Sequence, residues 1–293
     1  MRPATWGEAL AAKAERPGLL PIAGGTDVMV DINFGRLRPA GLLDLTRITE
    51  AEVAGWSVDD GLLRLGVGVT WSQVLADLSD LAPGLALAAR TVGSPQIRNR
   101  GTVVGNLGSA SPAGDAPPPL LAAGAFVEVE SVDGRRVLPV EEFFLAPKRS
   151  ALEPEELIRA VRVPVAAGPQ QFAKIGTRNA MVIAVSSFAL ALDRGRRRVG
   201  TGIGSAGPRP LVAREAEDLI SSELDWESRS VIAPPVLRRF GELVAAAATP
   251  IDDVRGTADY RRHALSVLAG RTLTWAWEQL RSDGPSDPGG GTR

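Results

Sequence analysis

Two glycine-rich segments carry the residues best suited to chemistry. One is PIAGGTDVMV, residues 21–30, and the other is IRNRGTVVGNLGSASPAGD, residues 97–115. Glycine permits φ > 0 and lets its N–H approach a ligand closely. Successive inward-facing N–H groups form a concavity suited to an anion such as pyrophosphate. Short polar side chains stand beside these glycines: Thr26 and Asp27 in the first segment, and Asn106, Ser111 and Asp115 in the second. Charge-assisted hydrogen bonds to a pyrophosphate contribute roughly 1.5–3 kcal/mol each, so a handful would anchor it. One such loop is common in any protein. Two in the first 115 residues point to a long ligand with phosphates at its middle, held from two sides. From the residues alone, a pair of tight turns that bind nothing is the competing reading.

The rest of the composition narrows the chemistry. The chain has no cysteine, so disulfides, thiolate nucleophiles and Cys-ligated iron–sulfur clusters are excluded within it. Its single histidine, His263, lies in the helical pattern DYRRHALSVLAG and is expected on the surface or in packing. A zinc site of the usual His/Cys kind cannot be built within one chain, and neither can a Ser-His-Asp triad unless His263 serves. Acid–base work would then rest on carboxylates and lysines, or a borrowed cofactor supplies the chemistry.

With 293 residues, the chain is long enough for about two domains. It is 44% hydrophobic and 23% charged, with a net charge of −1, so neither nucleic acid nor an anionic membrane is expected as a partner. The RGRRR run at 194–198 reads as a hairpin tip. The N-terminus lacks an apolar signal-peptide core and carries Glu8 and Glu15, and no apolar run reaches the ~20 residues of a membrane helix. The expected location is cytoplasmic.

Local patterns place the two glycine segments. Thr5 and Glu8 form a T-x-x-E capping signal for a helix ending near Pro17-Gly18. LLPI (19–22) reads as a strand running into the AGGTD turn, and LLDL (42–45) as another. LLRLGVGVT (62–70) is a third strand, with Gly66 and Gly68 where another backbone passes closely. Thr70 and Gln73 open a helix, and residues 85–93 form the next, ending at Gly93. Residues 94–119 have little periodicity and read as a long functional loop followed by a short helix. AFVEVES and RRVLPV form a hairpin about Asp133-Gly134, and residues 156–164 a further strand.

The second half reads as strands QQFAKIG, MVIAVSSFALALD and VGTGIGSAG, then helices over about 211–222, 233–248 and 259–280. Residues 202–207, GIGSAG, match the dinucleotide fingerprint G-x-G-x-x-G, which requires a helix to start inside the motif. Pro208 and Pro210 forbid that helix, so this segment is read as a strand leaving through a glycine turn. The expected boundaries are domains over 1–166 and 167–281 and a disordered tail over 282–293.

AGGTD after an apolar strand, followed by S-P-Q-I-R-N-x-G-T-x-x-G-N-x-x-x-A-S-P-A-G-D, resembles the flavin subunit of the molybdenum hydroxylases. This is the medium subunit of the xanthine dehydrogenase and carbon monoxide dehydrogenase family. FAKIGTRNAM (172–181) and IDDVRGTADYRRHAL (251–265) extend the resemblance to about residue 280. It implies an α+β chain: a two-subdomain FAD-binding domain of the vanillyl-alcohol-oxidase (PCMH) type, followed by a smaller α+β C-terminal flavoprotein domain. By the same resemblance, FAD is held by Ile22, Ala23, Gly24, Gly25, Thr26, Asp27 and Val28 on one side. Thr102, Val103, Val104, Gly105 and Asn106 hold it on the other. Asp115 matches a FAD-contacting aspartate, Ile158 lies in the strand near the flavin, and Lys174 matches a lysine near the isoalloxazine. A cation there stabilises charge that develops on the flavin as it is reduced, raising its potential. The implied partners are a small [2Fe-2S] subunit, a large molybdenum-cofactor subunit, and NAD+ or another electron acceptor. No residue of this chain need act as a catalytic acid or base, and no metal is expected on it.

Two positions depart from the family's pattern. The family commonly has T-x-G-G-N where this chain has TVVGN, and Val104 would be strained if the first glycine needed φ > 0. Val182 stands where many relatives carry an aspartate, which resembles the xanthine-dehydrogenase-like branch. Two other functions stay open at this level: a self-sufficient FAD oxidase or dehydrogenase of the same fold, and an assembly subunit that has lost FAD.

Overall fold

The computed structural model describes residues 1–282. The first helix, α1, Trp6–Glu15, starts where the capping signal predicts, with the Thr5 hydroxyl accepting from the Glu8 N–H at 3.2 Å. The Glu8 carboxylate reaches one residue further back than in a standard capping box, to the Ala4 N–H at 2.7 Å. Strand β1, Leu20–Ile22, leads into the first glycine segment, and α2, Val28–Asn33, leaves it. Strand β2, Leu42–Asp44, lies parallel to β1 with Ile22 opposite Asp44.

A short helix α3, Ala51–Ala54, precedes the antiparallel pair β3, Trp56–Asp59, and β4, Leu62–Gly66. Neither α3 nor β3 is legible in sequence; β3 is short and exposed along its length. Gly66 and Gly68 do sit where another backbone passes, since a Cβ on either would run into carbonyls of α3 and its C-terminal end. Helix α4, Trp71–Asp77, opens with the complete Thr70–Gln73 capping box. Helix α5, Pro83–Thr91, ends before Gly93.

Residues 94–116, expected as an aperiodic loop, instead hold two short helices, α6, Pro95–Arg100, and α7, Val103–Gly108; the short helix expected after the loop is α8, Pro117–Ala122. Their starts are chemical rather than periodic. Ser94 and Thr102 accept from N–H groups of the first turns of α6 and α7, and proline opens α6 and α8. Single-turn helices leave no apolar repeat to read.

A hairpin of β5, Phe126–Ser131, and β6, Gly134–Pro139, follows, turning at Val132-Asp133, one residue earlier than the expected Asp-Gly turn. Then come α9, Val140–Phe143, and the small hairpin β7, Phe144–Ala146, and β8, Arg149–Ser150. Strand β9, Leu157–Pro164, closes a five-stranded sheet in the order β3-β4-β9-β5-β6. Leu63, Leu65, Val127, Val129, Val161 and Val163 point from this sheet into a core shared with Trp6, Leu43 and α7. Alternating with the inward valines of β5, Glu128 and Glu130 are held by arginines. Glu128 pairs with Arg64 at 3.3 Å, Arg159 at 3.3 Å and Arg162 at 2.8 Å. Glu130 pairs with Arg159 and Arg135, each at 2.7 Å, and accepts from the Trp6 indole at 2.7 Å.

The second part contains β10, Gln170–Ile175, β11, Ser186–Asp193, and β12, Arg198–Gly204, in one antiparallel sheet. The RGRRR run turns β11 into β12, as expected. Residues 181–185 precede β11 rather than extend it; Met181 has φ 49, outside the extended range. Helices α10, Arg214–Glu223, α11, Pro234–Ala247, and α12, Ala258–Ser282, enclose a core with Phe188, Phe240 and Trp277. The other face of the sheet meets α8 and α5 of the first part. A Cβ on Gly202 would overlap the Pro118 carbonyl and lie 2.8 Å from Pro118 Cα. The glycines of the GIGSAG segment therefore serve strand–helix contact, and no helix begins within it. Of the tail expected at 282–293, Ser282 ends α12 and 283–293 lie outside the described residues.

Candidate functional site

The two glycine segments meet. A Cβ on Gly24 would overlap the Arg100 carbonyl oxygen and lie 2.8 Å from Gly101 Cα, so only glycine lets the first loop lie against the second. Gly25 follows at φ 75, a left-handed conformation that turns the chain into α2. Asp27 is the N-cap residue of α2, yet its side chain makes no capping bond. Among the described residues, the backbone N–H groups of Gly24, Gly25, Thr26 and Asp27 have no protein acceptor. Buried or half-buried backbone donors rarely stay unpaired. Four in succession make a cradle complementary to a multiply charged anion.

On the facing side, Thr102 caps α7 by accepting from the Gly105 N–H at 3.0 Å. The Val103 N–H is taken by the Val69 carbonyl at 3.1 Å, whereas the Val104 N–H has no protein acceptor among the described residues. Val104 itself is the second residue of α7, with ordinary helical backbone and its side chain buried in the core. The strain expected from replacing a φ > 0 glycine is absent, because this position is helical. Asn106 does not point freely into the cleft: its Oδ1 accepts from the Ala116 N–H at 3.0 Å and pins the 111–116 turn. Ile158 is buried on β9 behind α7, against Gly108.

Asp115 and Lys174 come together across the two parts of the chain. Lys174 Nζ lies 3.0 Å from both Asp115 carboxylate oxygens and donates to the Thr91 carbonyl at 3.2 Å. Burial pushes the Asp115 carboxyl up, the Lys174 ammonium opposes this, and the charge of Asp27 adds to the rise. Asp27 is open to water at the cleft mouth but surrounded by protein atoms. That partial desolvation raises its pKa; the Lys148 ammonium opposes the rise and Asp31 reinforces it. Asp27, Asp115, Lys174 and Lys148 thus share one electrostatic environment at one cleft.

Lys148 was not legible as a site residue. It sits at φ 60 in the β7–β8 turn, its N–H donates to the Ala110 carbonyl at 2.9 Å, and its ammonium lies 3.5 Å from Asp31 on α2. Nothing in A-P-K-R announces that long-range contact. His263 is exposed on α12, as expected. No group of His, Cys, Asp and Glu suited to a metal occurs among the described residues.

A parallel β1–β2 layer, an antiparallel five-stranded sheet and an amide cradle beside them make a two-subdomain α+β fold suited to holding a phosphate-bearing ligand. Residues 1–166 match the family described as FAD binding domain in molybdopterin dehydrogenase, and residues 171–276 match the CO dehydrogenase flavoprotein C-terminal domain. The chain belongs to this family of molybdopterin-dehydrogenase flavoproteins, oxidoreductase subunits whose cofactor is FAD. It is similar to the xanthine dehydrogenase FAD-binding subunit of Escherichia coli O157:H7, at 27% identity over 94% of each chain. It is also similar to the nicotinate dehydrogenase FAD-subunit of Eubacterium barkeri, at 32% identity over 73% of this chain and 75% of that one. The fold matches a chain of reconstituted CO dehydrogenase from Oligotropha carboxidovorans, with a TM-score of 0.86 at 24% identity, covering 95% and 96% of the two chains.

Proposed function

We propose that this chain is the FAD-carrying electron-transfer subunit of a multi-subunit molybdenum hydroxylase of the xanthine dehydrogenase type. Electrons enter from a [2Fe-2S] cluster on a small partner subunit and leave to NAD+ or another acceptor. The hydroxylated substrate binds on a large molybdenum-cofactor subunit. The observation that carries this reading is the run of unpaired N–H groups at Gly24–Asp27, set against α7 and close to the Asp115–Lys174 pair. A cradle of this kind suits the pyrophosphate of FAD, and the lysine suits the polar edge of its flavin.

FAD supplies one- and two-electron redox chemistry when bound; the protein supplies position and charge. The amides of Gly24, Gly25, Thr26, Asp27 and Val104 orient the phosphates. Ile22, Ala23, Val28, Thr102, Val103, Gly105 and Asn106 shape the two loops that present them. Ile158 supports α7 from behind, and the Asp115–Lys174 pair holds a cation at the junction of the two parts. The chain has no cysteine, so any iron–sulfur cluster that feeds it lies on another chain. No described helix is long and apolar enough to cross a membrane, and we place the protein in the cytoplasm. The same reading divides the chain into domains at 166–167.

The FAD-less scaffold alternative rested on strain at Val104, and a helical Val104 removes its support. The test is the visible absorption spectrum of the purified chain, with the released chromophore identified by chromatography, then flavin reduction with and without the co-expressed partner subunits. Bound FAD that is reduced only when the partners are present supports the electron-transfer subunit. Substrate-dependent reduction of the isolated chain would establish a self-sufficient enzyme instead.

A further inference from the structure

The segment IDDVRGTADYRRHAL, residues 251–265, belongs to the second part of the chain, yet its one buried arginine reaches toward the second glycine segment. Asp252 Oδ1 accepts from the Ala258 N–H at 2.6 Å and ties down the start of α12. Asp253 and Gly256 exchange backbone hydrogen bonds at 3.2 and 3.1 Å, closing a tight loop before it. Arg261, on the first turn of α12, is 3% exposed. Its Nη2 donates to Asp253 Oδ1 at 2.5 Å. Its Nη1 donates to the Val185 carbonyl at 3.0 Å and to the Ser205 carbonyl at 2.6 Å. Val185 precedes β11 and Ser205 follows β12, so one guanidinium clamps the ends of two neighbouring strands.

Ser205 is the strained member of this arrangement. It has φ 60, a left-handed conformation that a residue with a Cβ adopts only when its surroundings enforce it. Its own side chain does not help, because the buried hydroxyl has no partner among the described residues. The backbone is held from outside instead, on both sides. The Ser205 carbonyl accepts from Arg261, and the Ser205 N–H donates to the Pro112 carbonyl at 2.8 Å. Pro112 lies in the 111–116 turn that carries Asp115. That turn is closed by the Gly114 N–H on the Ser111 carbonyl at 3.0 Å, and pinned from the first part by Asn106 on the Ala116 N–H. A continuous set of contacts thus runs from Asp253 through Arg261 and Ser205 to the turn that presents Asp115 to Lys174.

We propose that Arg261 is a positioning residue for the Asp115–Lys174 pair. By holding the Ser205 carbonyl it keeps Ser205 left-handed, which aims the Ser205 N–H at Pro112 and fixes the turn that carries Asp115. The redox consequence of this inference rests on the FAD reading above; the bracing of the turn does not. A guanidinium suits the task because its donors are spread over a rigid fork, with one nitrogen for the carboxylate and another for the two carbonyls. A lysine ammonium offers its donors at a single point and cannot span all three acceptors at once. Loss of the fork frees Ser205 to leave the left-handed region, and the turn then loses the support it receives from the second part. Asp115 would offset less of the Lys174 charge.

The test compares Arg261→Lys, Ser205→Gly and the double variant with the parent, all as full chains. The first readout is amide hydrogen exchange at Ala113, Gly114, Asp115 and Ala116 without flavin. Arg261→Lys should exchange roughly ten- to a hundred-fold faster there, the equilibrium equivalent of the strain released at one left-handed residue. Glycine takes the left-handed conformation without being held, so the double variant should recover most of the protection. The second readout is the midpoint potential of the bound flavin. Arg261→Lys should raise it, and the rise should vanish when Asp115→Asn is already present. A purely structural role for Arg261 would lower the unfolding temperature, leave the potential unchanged and gain nothing from Ser205→Gly. Should Arg261→Lys not fold, Asp253→Asn, which loosens the guanidinium without removing it, should show the same changes at smaller size. Parent-like exchange at 113–116, absence of rescue by Ser205→Gly, an unchanged potential, or a rise that persists in the Asp115→Asn background would each overturn the inference. A parent chain that binds no flavin would overturn the flavoprotein reading and the redox consequence, and the exchange measurement alone would then decide whether Arg261 holds the turn.

Discussion

Lys174 Nζ lies 3.0 Å from both carboxylate oxygens of Asp115, and the two residues belong to different parts of the chain. Asp115 ends the second glycine segment and Lys174 stands on β10. Both side chains are largely withdrawn from water, 5% exposed for the lysine and 15% for the aspartate. A buried pair of this kind contributes little net stability while intact, but losing one member leaves an uncompensated charge. Here it also joins the second glycine segment to the sheet of the second part. On the proposed flavin reading, redox tuning and attachment of the second part depend on the same contact.

Lys174→Met should lower the midpoint potential of the bound flavin, because a cation that stabilises negative charge on reduction is removed. Asp115→Asn should raise it, by leaving the lysine's charge uncompensated. Lys174→Met should also destabilise the chain by about 3 kcal/mol, the lower end of the range for breaking a buried pair, because Asp115 can take up a proton. Redox titration of the two variants beside the parent checks the signs. Equal potentials in all three would remove the tuning role.

The sequence marks Asp115 and Lys174 separately, but no local pattern marks their pairing, since it forms only when two distant segments fold together. The same limit applies to Lys148 and Arg100, whose significance lies in where a turn or a helix end delivers them. Elements long enough to show a period were legible: β5, β9, β12 and the three helices of the second part. Helices α6 and α7 were not, because a six-residue helix is specified by its cap and not by an apolar stripe. At Val104 the motif leaves open whether the backbone must be special; the structure puts that demand on Gly24 and Gly25 in the other loop.

Asp27→Ala and Asn106→Ala should both lower FAD occupancy, with different effects on stability. Asn106 Oδ1 satisfies the buried Ala116 N–H, so Asn106→Ala should cost about 1–3 kcal/mol as well. Asp27 has a raised pKa in the folded chain, so any stability from its protonated form is lost as pH rises through that value. At neutral pH its ionised carboxylate opposes folding, and Asp27→Ala should leave the apo chain as stable as the parent or slightly more so. Calorimetry with and without FAD separates these signatures. Undiminished FAD occupancy in both variants would dismantle the two-loop cradle.

Acid should unfold the sheet through Glu128 and Glu130. Burial alone would raise both carboxyls. For Glu128, hydrogen bonds and charge from Arg64 and Arg162 outweigh it; for Glu130, Arg135, Trp6 and Arg159 do. Both therefore lie below the ordinary glutamate value of 4.5. A depressed folded pKa gives stability that is complete above 4.5 and lost as pH falls through the folded value. Glu128→Gln should be less stable than the parent at neutral pH, with the gap closing as the parent is acidified below 4.5. Thermal unfolding across that range is the measurement, and a gap that stays constant with pH would show that the arginines do not stabilise the ionised form.

Gly202→Ala should separate the two parts of the chain without disrupting either core. The added methyl would overlap the Pro118 carbonyl on α8, and backbone has no rotamer by which to yield. Overpacking of this kind typically costs 1–3 kcal/mol, with larger values where nothing can move. Gly200 meets the Ala122 carbonyl in the same way, so sliding the strand along α8 does not relieve the clash. The core around Phe188, Phe240 and Trp277 lies on the opposite face of the sheet and does not feel the methyl. Moving β12 off α8 also withdraws β10, and with it Lys174, from Asp115. The variant should therefore lose FAD affinity and show two unfolding transitions where the parent shows one. Retained FAD affinity and a single transition at the parent temperature would mean that the α8–β12 contact does not hold the cleft closed.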